Sequence, residues 1–325
     1  PGLPCEIGEV PQSGGGVCLA NDLRALPATP LSPLATSPLR CRGDIQLGNR
    51  HQQISMQSSD IAARYTFARQ LAREAGEFAH TYFGRLDEIT VESKGTQDEV
   101  SVADRDTEAF IRQRIGEAFP GDGILGEEGG DDRAGKSVIW VIDPIDGTAC
   151  FVNAMYTWCV SIAVVVDGVP TIGAVYDPNA KELFHGVAGA HANVSAGAWV
   201  NDKPAKVKDV TDFKGGVLGA GFSHRSQPDE FTPFLHRLLS QGGMFYRNGS
   251  GALMLCYVAA GRLIGYYEPH INSWDCIAAV AIINAAGGRC NDFLANDGMT
   301  EGNAILAAGP TLYPKLLTIT GHARA

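Results

Sequence analysis

Three separated segments of this chain place carboxylates beside turn residues. The first is Gly126-Glu127-Glu128, at the end of a short strand-like run. The second is Asp143-Pro144-Ile145-Asp146-Gly147-Thr148, which follows the apolar run Val138–Ile142. The third is Trp274-Asp275, opening a helical pattern that ends at Ala286-Gly287-Gly288. In the second segment a buried strand delivers Asp143 at its C-terminal end. Pro144 then forces a turn, and Gly147 permits close backbone approach. Taken alone, such a pair is an ordinary turn with solvated aspartates. Strand ends in α/β sheets are, however, where ligands bind. Two carboxylates crowded there, about 4 Å apart, repel by about 4 kcal/mol at an effective dielectric of about 20. A hard divalent cation removes that cost, and an all-oxygen set suits Mg²⁺.

The elements that must position these acids are legible as changes of period. Ile61, Tyr65, Ala68, Leu71, Ala75, Phe78 and Tyr82 recur at steps of three and four, the stripe of an amphipathic helix with Ser59 as its cap. A second helix is expected from about Arg105 to Phe119, stopped by Pro120-Gly121. Strand-like runs follow, among them "SVIWVID", "WCVSIAVVV", "TIGAVYD" and "KELFHGV". After about Lys214 strands and helices alternate, which argues an α/β half with a second sheet. The resulting expectation is three parts: residues 1–55, 56–213 and 214–325. The first part is rich in Pro, Gly and Ser without apolar periodicity. It reads as a disordered or non-native extension and lacks the pattern of a signal peptide.

The chain has 325 residues and is 45% hydrophobic, with a formal net charge of −10. That balance argues against holding a nucleic-acid backbone electrostatically. No apolar run is long enough for a membrane span. The eight cysteines form no CxxC pair and read as buried free thiols in a reducing cytoplasm. None of the eight histidines falls in an HxH or HExxH pattern, which argues against a zinc hydrolase. No GxGxxG follows a first strand, which argues against a nucleotide-binding dehydrogenase.

"GEE", then "DPIDGT", then "WD" with "AGG" ending the same helix, in that order, resembles the inositol monophosphatase family from about Ser59 to the C-terminus. The resemblance implies an αβαβα sandwich and a phosphoric monoester hydrolase using two or three Mg²⁺. It makes Glu127, Asp143, Asp146 and Asp275, with the carbonyl of Ile145, the metal ligands. Thr148, backed by Asp104 in the segment "SVADRDTE", would orient and activate the attacking water together with Glu127. Asp104 also suits a helix cap, and Asp275 suits the first turn of a helix; one carboxylate can do both. The family usually reads DGTxNF, whereas Cys150 stands here in place of the Asn, which puts the local hydrogen bonding behind the loop in doubt.

Gly147 and Thr148 amides are expected to meet phosphate oxygens. Gly249, Ser250 and Gly251, at a helix start, and Glu268, at a strand end, are expected to meet the alcohol; Lys94 is a further candidate near the phosphate. The substrate this implies is a small phosphorylated alcohol, with inositol monophosphate first and histidinol phosphate as the alternative. The partners expected are that substrate and a second copy in a homodimer, with no nucleic acid and no membrane, in the cytoplasm.

Overall fold

The computed structural model describes residues 46–88, 91–95, 98–191 and 193–322, with side chains over 61–87, 101–191 and 193–322. Residues 1–45, with Cys5, Cys18 and Cys41, lie outside the described residues. Helix α1, Gln46–Phe83, starts well before Met56, so Ser59 lies inside the helix and does not cap it. A hairpin of β1 (Val91–Gly95) and β2 (Asp98–Ser101) leads into α2, Val102–Ala118. That helix starts three residues ahead of Arg105, because Ser101 caps it and its hydroxyl accepts the Ala103 amide at 3.1 Å.

The first sheet contains β3 (Gly123–Gly126), β4 (Gly130–Asp131), β5 (Val138–Asp146), β6 (Cys159–Val166), β7 (Val169–Asp177), β8 (Glu182–Val187), β9 (Gly197–Val200) and β10 (Lys203–Pro204), with the short α3 (Thr148–Val152) after β5. Their order is β10-β9-β8-β7-β6-β5-β3-β4. The remaining chain runs β11 (Val217–Ala220), α4 (Pro228–Ser240), β12 (Met244–Tyr246), α5 (Gly251–Ala259), β13 (Gly265–Ile271), α6 (Ser273–Ala285), β14 (Arg289–Cys290), α7 (Gly298–Glu301), β15 (Asn303–Ala308) and α8 (Tyr313–Thr320). Its five strands form a second sheet, ordered β12-β11-β13-β15-β14.

Alternation along the strands builds the layers. Trp140, Ile142, Val160 and Ile162 pack against Ala68, Leu71 and Ala75 of α1 and Ile111 and Ile115 of α2. Their neighbours Val141, Ala163 and Val165 face the other way, onto α5 and α6. Those two helices also cover Tyr266, Ile305 and Ala307 of the second sheet. Its far face, with Leu218, Tyr267 and Leu306, packs against Phe234 and Leu238 of α4 and Leu316 of α8. The architecture is therefore the expected αβαβα sandwich. Burial on both faces explains why β6 reads as an apolar run broken by Ser161 alone and not as an alternating strand.

Strand direction then aims the chemistry. β3 and β5 are parallel, with Gly126 opposite Ile142, so Glu127 and Asp143 emerge side by side; β5 does not end at Asp143 as expected but continues through Pro144 to Asp146, where its register against β6 shifts, so Pro144 marks a bulge and not a turn out of the sheet. β11, β12 and β13 are parallel as well. The C-terminal ends of β11 and β12 lead into Gly221–Arg225 and Arg247–Ser250, while Glu268, expected at a strand end, lies mid-strand in β13 opposite Ile305. Among the described residues no helix is long and apolar enough to cross a membrane.

Candidate active site

A cleft of about 450 Å³ lies where these strand ends meet. It is lined by Glu127, Asp143, Ile145, Asp146, Gly147 and Thr148 from the first sheet's side, and by Phe222–Arg225, Arg247, Gly249, Asn272 and Asp275 from the second's. Glu127, Asp143 and Asp275 each direct one carboxylate oxygen to a common point, all within 4.8 Å of one another. Asp143 is 1% exposed, and its Oδ1 accepts the Ile145 amide at 2.9 Å. Burial first, then the charges of Glu127, Asp146 and Asp275, pushes its carboxyl well above the usual range. Burial and the charge of Asp146 raise Asp275 to about 7. Gathered acids that protonate so easily lack compensating charge. Their all-oxygen, closely spaced donor set fits a hard divalent cation.

Asp146 is tied differently. Its carboxylate accepts the Ser250 hydroxyl, the Ala252 amide at 2.8 Å and the Gly251 amide at 3.3 Å. Burial lifts it to about 6 in spite of those bonds. Asp146 and Ile145 line the cleft but are not in the trio whose oxygens converge.

Thr148 opens α3, after Gly147 at φ 95°, a left-handed conformation that favours glycine. The Thr148 hydroxyl lies 3.2 Å from Asp104 Oδ1 and 3.0 Å from the Ile145 carbonyl, to either of which it can donate. Asp104 divides its two oxygens. Oδ2 accepts the Ser101 amide at 2.9 Å and the Ser101 hydroxyl at 2.5 Å, closing the cap of α2, while Oδ1 faces Thr148. One side chain thus both closes the cap of α2 and meets the Thr148 hydroxyl. Burial raises Asp104 to about 6, against the hydrogen bonds from Ser101 that pull it down.

Glu108 escaped the sequence reading. It is 1% exposed and accepts the Glu128 and Gly129 amides at 2.7 and 2.6 Å, with Arg112 Nε at 2.6 Å. It therefore fixes the turn that carries Glu127. Its only signal in the sequence was an i,i+4 pairing with Arg112, which reads as a helix-surface ion pair. Cys150, in place of the usual Asn, is buried and donates its thiol to the Asn248 carbonyl at 3.3 Å. Thr157 donates to the same carbonyl at 2.7 Å. The Asn248 side-chain nitrogen has no hydrogen-bond partner among the described residues.

A side cavity of about 130 Å³ opens off the cleft and shares Asp146, Phe222, Ser223, Arg247, Gly249 and Asp275 with it. Glu268 and Tyr266 line it, and the Tyr266 hydroxyl donates to Glu268 Oε2 at 2.6 Å. Burial raises Glu268 to about 8. Gly249 and Gly251 line this cavity too. Ser250 does not: it is fully buried, and its hydroxyl joins Asp146 to the Leu253 amide of α5. Lys94 lies on β1, with its side chain outside the described residues. The loop Phe222–Arg225 and Arg247 were not singled out in the sequence, since cations near strand ends have no distinctive spacing.

Comparison with known proteins bears on this geometry. The model of the inositol monophosphatase family matches residues 60–323. The Nus factor SuhB of Pasteurella multocida is 37% identical over 250 residues, spanning 76% of this chain and 91% of that one. The extragenic suppressor protein suhB of Bartonella henselae superposes with a TM-score of 0.70 at 29% identity, over 78% of this chain and 97% of its own. The inositol monophosphatase of Anabaena does so at 0.65 and 32%, over 80% and 96%. The curated names correct one expectation. Nus factor is a transcription name, so the exclusion of nucleic acid does not stand. The physical reason is that a net charge of −10 describes the whole chain, including acids gathered inside a cleft, and not any local surface. With the family's model matched across residues 60–323, the chain belongs to the inositol monophosphatase family.

Proposed function

We propose that this protein hydrolyses small phosphate monoesters with Mg²⁺, two or three ions per site, and that inositol monophosphate is its first candidate substrate. The observation that carries this reading is the convergence of Glu127, Asp143 and Asp275 within 4.8 Å on a cleft that Thr148 also lines, with the buried Asp104 3.2 Å behind its hydroxyl. Glu127, Asp143 and Asp275, with Asp146 and the Ile145 carbonyl beside them, would hold the metal. Bound there, Mg²⁺ supplies Lewis-acid polarisation of the phosphoryl group and lowers the pKa of water. The protein's own part is positioning. Thr148 accepts a hydrogen bond from the attacking water and donates its own to Asp104, so that as the water attacks, its proton goes to the Thr148 oxygen and the Thr148 proton to the Asp104 carboxylate. Amides at Gly147 and Thr148 take phosphate oxygens. In the side cavity Glu268 accepts hydrogen bonds from hydroxyls of the alcohol.

Glu268→Gln tests the substrate assignment. Assayed above pH 8, where a carboxyl raised to about 8 is ionised, loss of a hydrogen bond to a charged acceptor costs about 1.5–3 kcal/mol, so kcat/KM for inositol 1-phosphate should fall about ten- to a hundredfold. An aryl phosphate without ring hydroxyls should lose much less. Equal losses on both would place Glu268 in the metal machinery. No loss, with high activity on histidinol phosphate, would favour that alcohol.

The curated names support a second reading beside the first: the same chain serves transcription as a Nus factor. Its test is a bacterium that lacks its own SuhB and shows a transcription defect. Restoration by this chain supports the reading, and failure of a well-expressed chain to restore it counts against it.

A further inference from the structure

A second cavity lies between α1 and the β8–β9 part of the first sheet. Its volume is about 460 Å³, and Tyr65, Arg69, His185, Trp199, Asn201 and Asp202 line it. That size falls within the range of small-ligand pockets, about 300–1,000 Å³. It shares no residue with the cleft or its side cavity. Three rings form one wall. Tyr65 donates to His185 Nδ1, and His185 Nε2 donates to the Asn201 carbonyl, so both ring nitrogens of His185 are engaged. Trp199 stacks on His185 with 15° between the planes. Tyr65 is tilted against both, with ring centres 5.7 and 6.5 Å away.

Arg69 lies against this wall, its guanidinium carbon 5.5 Å from the centre of the Tyr65 ring. Its Nε is buried and has no hydrogen-bond partner among the described residues. The other buried side-chain atoms without a partner belong to Thr, Trp, Asn, Ser and His residues, so Arg69 supplies the one guanidinium nitrogen among them. A guanidinium cannot shed its proton, and an unpaired charged donor costs more than an unpaired neutral one. Arg73, one turn further along α1, differs in this respect, because it donates to Asn201 Oδ1 at 3.1 Å. The charges of Arg69 and Arg73 both act on His185, against that of the exposed Asp202 alone. The cavity thus combines an excess of positive charge, a guanidinium short of an acceptor, and a wall of aromatic rings. Guanidinium forks pair with carboxylates and phosphates, and flat aromatic walls take flat rings.

We propose that this cavity is a second ligand site, separate from the cleft, for a small planar organic anion: an aromatic or heteroaromatic ring bearing a carboxylate or a phosphate. The anionic group pairs with Arg69, and the ring lies against Trp199. The site does not depend on the phosphatase reading.

The test is calorimetric titration of the full chain in excess EDTA, which keeps metal-dependent binding in the cleft out of the measurement. The probes are adenosine 5′-monophosphate and 4-hydroxyphenylacetate, with adenosine as a ring without an anion and inorganic phosphate as an anion without a ring. At least one of the first two should bind one to one, about tenfold or more tighter than either control. Which of them binds tells a phosphate-bearing ring from a carboxylate-bearing one. Arg69→Gln should weaken that binding by about ten- to a hundredfold, the worth of a charge-assisted hydrogen bond. Arg69→Lys, which keeps the charge but not the fork, should restore part of it. Trp199→Leu should weaken it by about tenfold, in the range of ring stacking on an aromatic side chain. Thermal melts of the three variants establish that each is folded under the titration conditions. No binding of either anion at millimolar concentration would overturn the proposal. So would binding that both Arg69 variants leave unchanged, since the anion would then sit elsewhere, and so would binding no tighter than that of inorganic phosphate, since the rings would then contribute nothing.

Discussion

At the scale of single residues, the site is a set of acids with divided duties. Asp104 shows this most clearly, with one oxygen in a helix cap and the other toward Thr148. If the two residues act as a unit on the attacking water, removing either removes most of the effect, and their losses are strongly non-additive. Thr148→Ala and Asp104→Asn should each reduce kcat severely, and the double variant should be little worse than the worse single one. Additive losses would leave Asp104 as a cap alone. The pair also predicts a pH dependence. Asp104 serves only when ionised, and burial raises it to about 6. kcat should therefore fall as pH drops through about 6, with Thr148 left without its charged partner. In Asp104→Asn that particular limb should vanish from the profile, since the amide does not titrate.

At the scale of elements, helix starts hold the acids in place. Asp104 sits in the first turn of α2 and Asp275 in the first turn of α6, each accepting the amide of its cap residue. Asp146 accepts two amides and a hydroxyl from the start of α5. Positive helix ends stabilise negative groups, so three sequence-distant acids gain fixed positions from secondary structure alone. This is why the acids were legible beforehand. They fall beside caps, Pro144 and Gly147, where strand or helix patterns break. Glu108 was not legible, because its partners Glu128 and Gly129 are brought to it only by the fold. Two-residue strands such as β4, β10 and β14 have no period to detect, and α8 is too short for its stripe to stand out. Glu108→Ala should leave the amides of the Glu127 turn unpaired. Supporting contacts of this kind commonly change metal affinity by about ten- to a hundredfold. The Mg²⁺ concentration giving half-maximal phosphate release should rise by that much, and an unchanged midpoint would show that Glu127 holds its place without Glu108.

At the scale of the whole molecule, the two β-sheets share one helical layer, α5 and α6; both sheets were predictable from strand runs while their joint cleft was not. The outer contact of α1 with the first sheet carries its own titration. His185 on β8 is buried and stacks on Trp199 at 5.6 Å. It lies 2.6 Å from the Tyr65 hydroxyl through Nδ1 and 2.8 Å from the Asn201 carbonyl through Nε2. The carbonyl can only accept, so Nε2 donates and Nδ1 accepts from Tyr65, a neutral imidazole. Burial lowers its pKa from 6.5 to about 4. Below about 6.5 the unfolded chain binds a proton that the folded chain refuses, so stability falls as pH drops from 6.5 toward 4. Thermal melts should show this limb, and His185→Gln should flatten it from a lower starting Tm. A variant whose melts keep the same slope would assign the acid sensitivity to other groups. The central claim, that the converging carboxylates make this a Mg²⁺-dependent phosphatase, is tested most directly by phosphate release from inositol 1-phosphate during a Mg²⁺ titration from full chelation. The account predicts no release in excess chelator, a saturable rise with Mg²⁺, and near loss of that rise in Asp143→Asn. Full release in chelator, or an unaltered titration in Asp143→Asn, would contradict it.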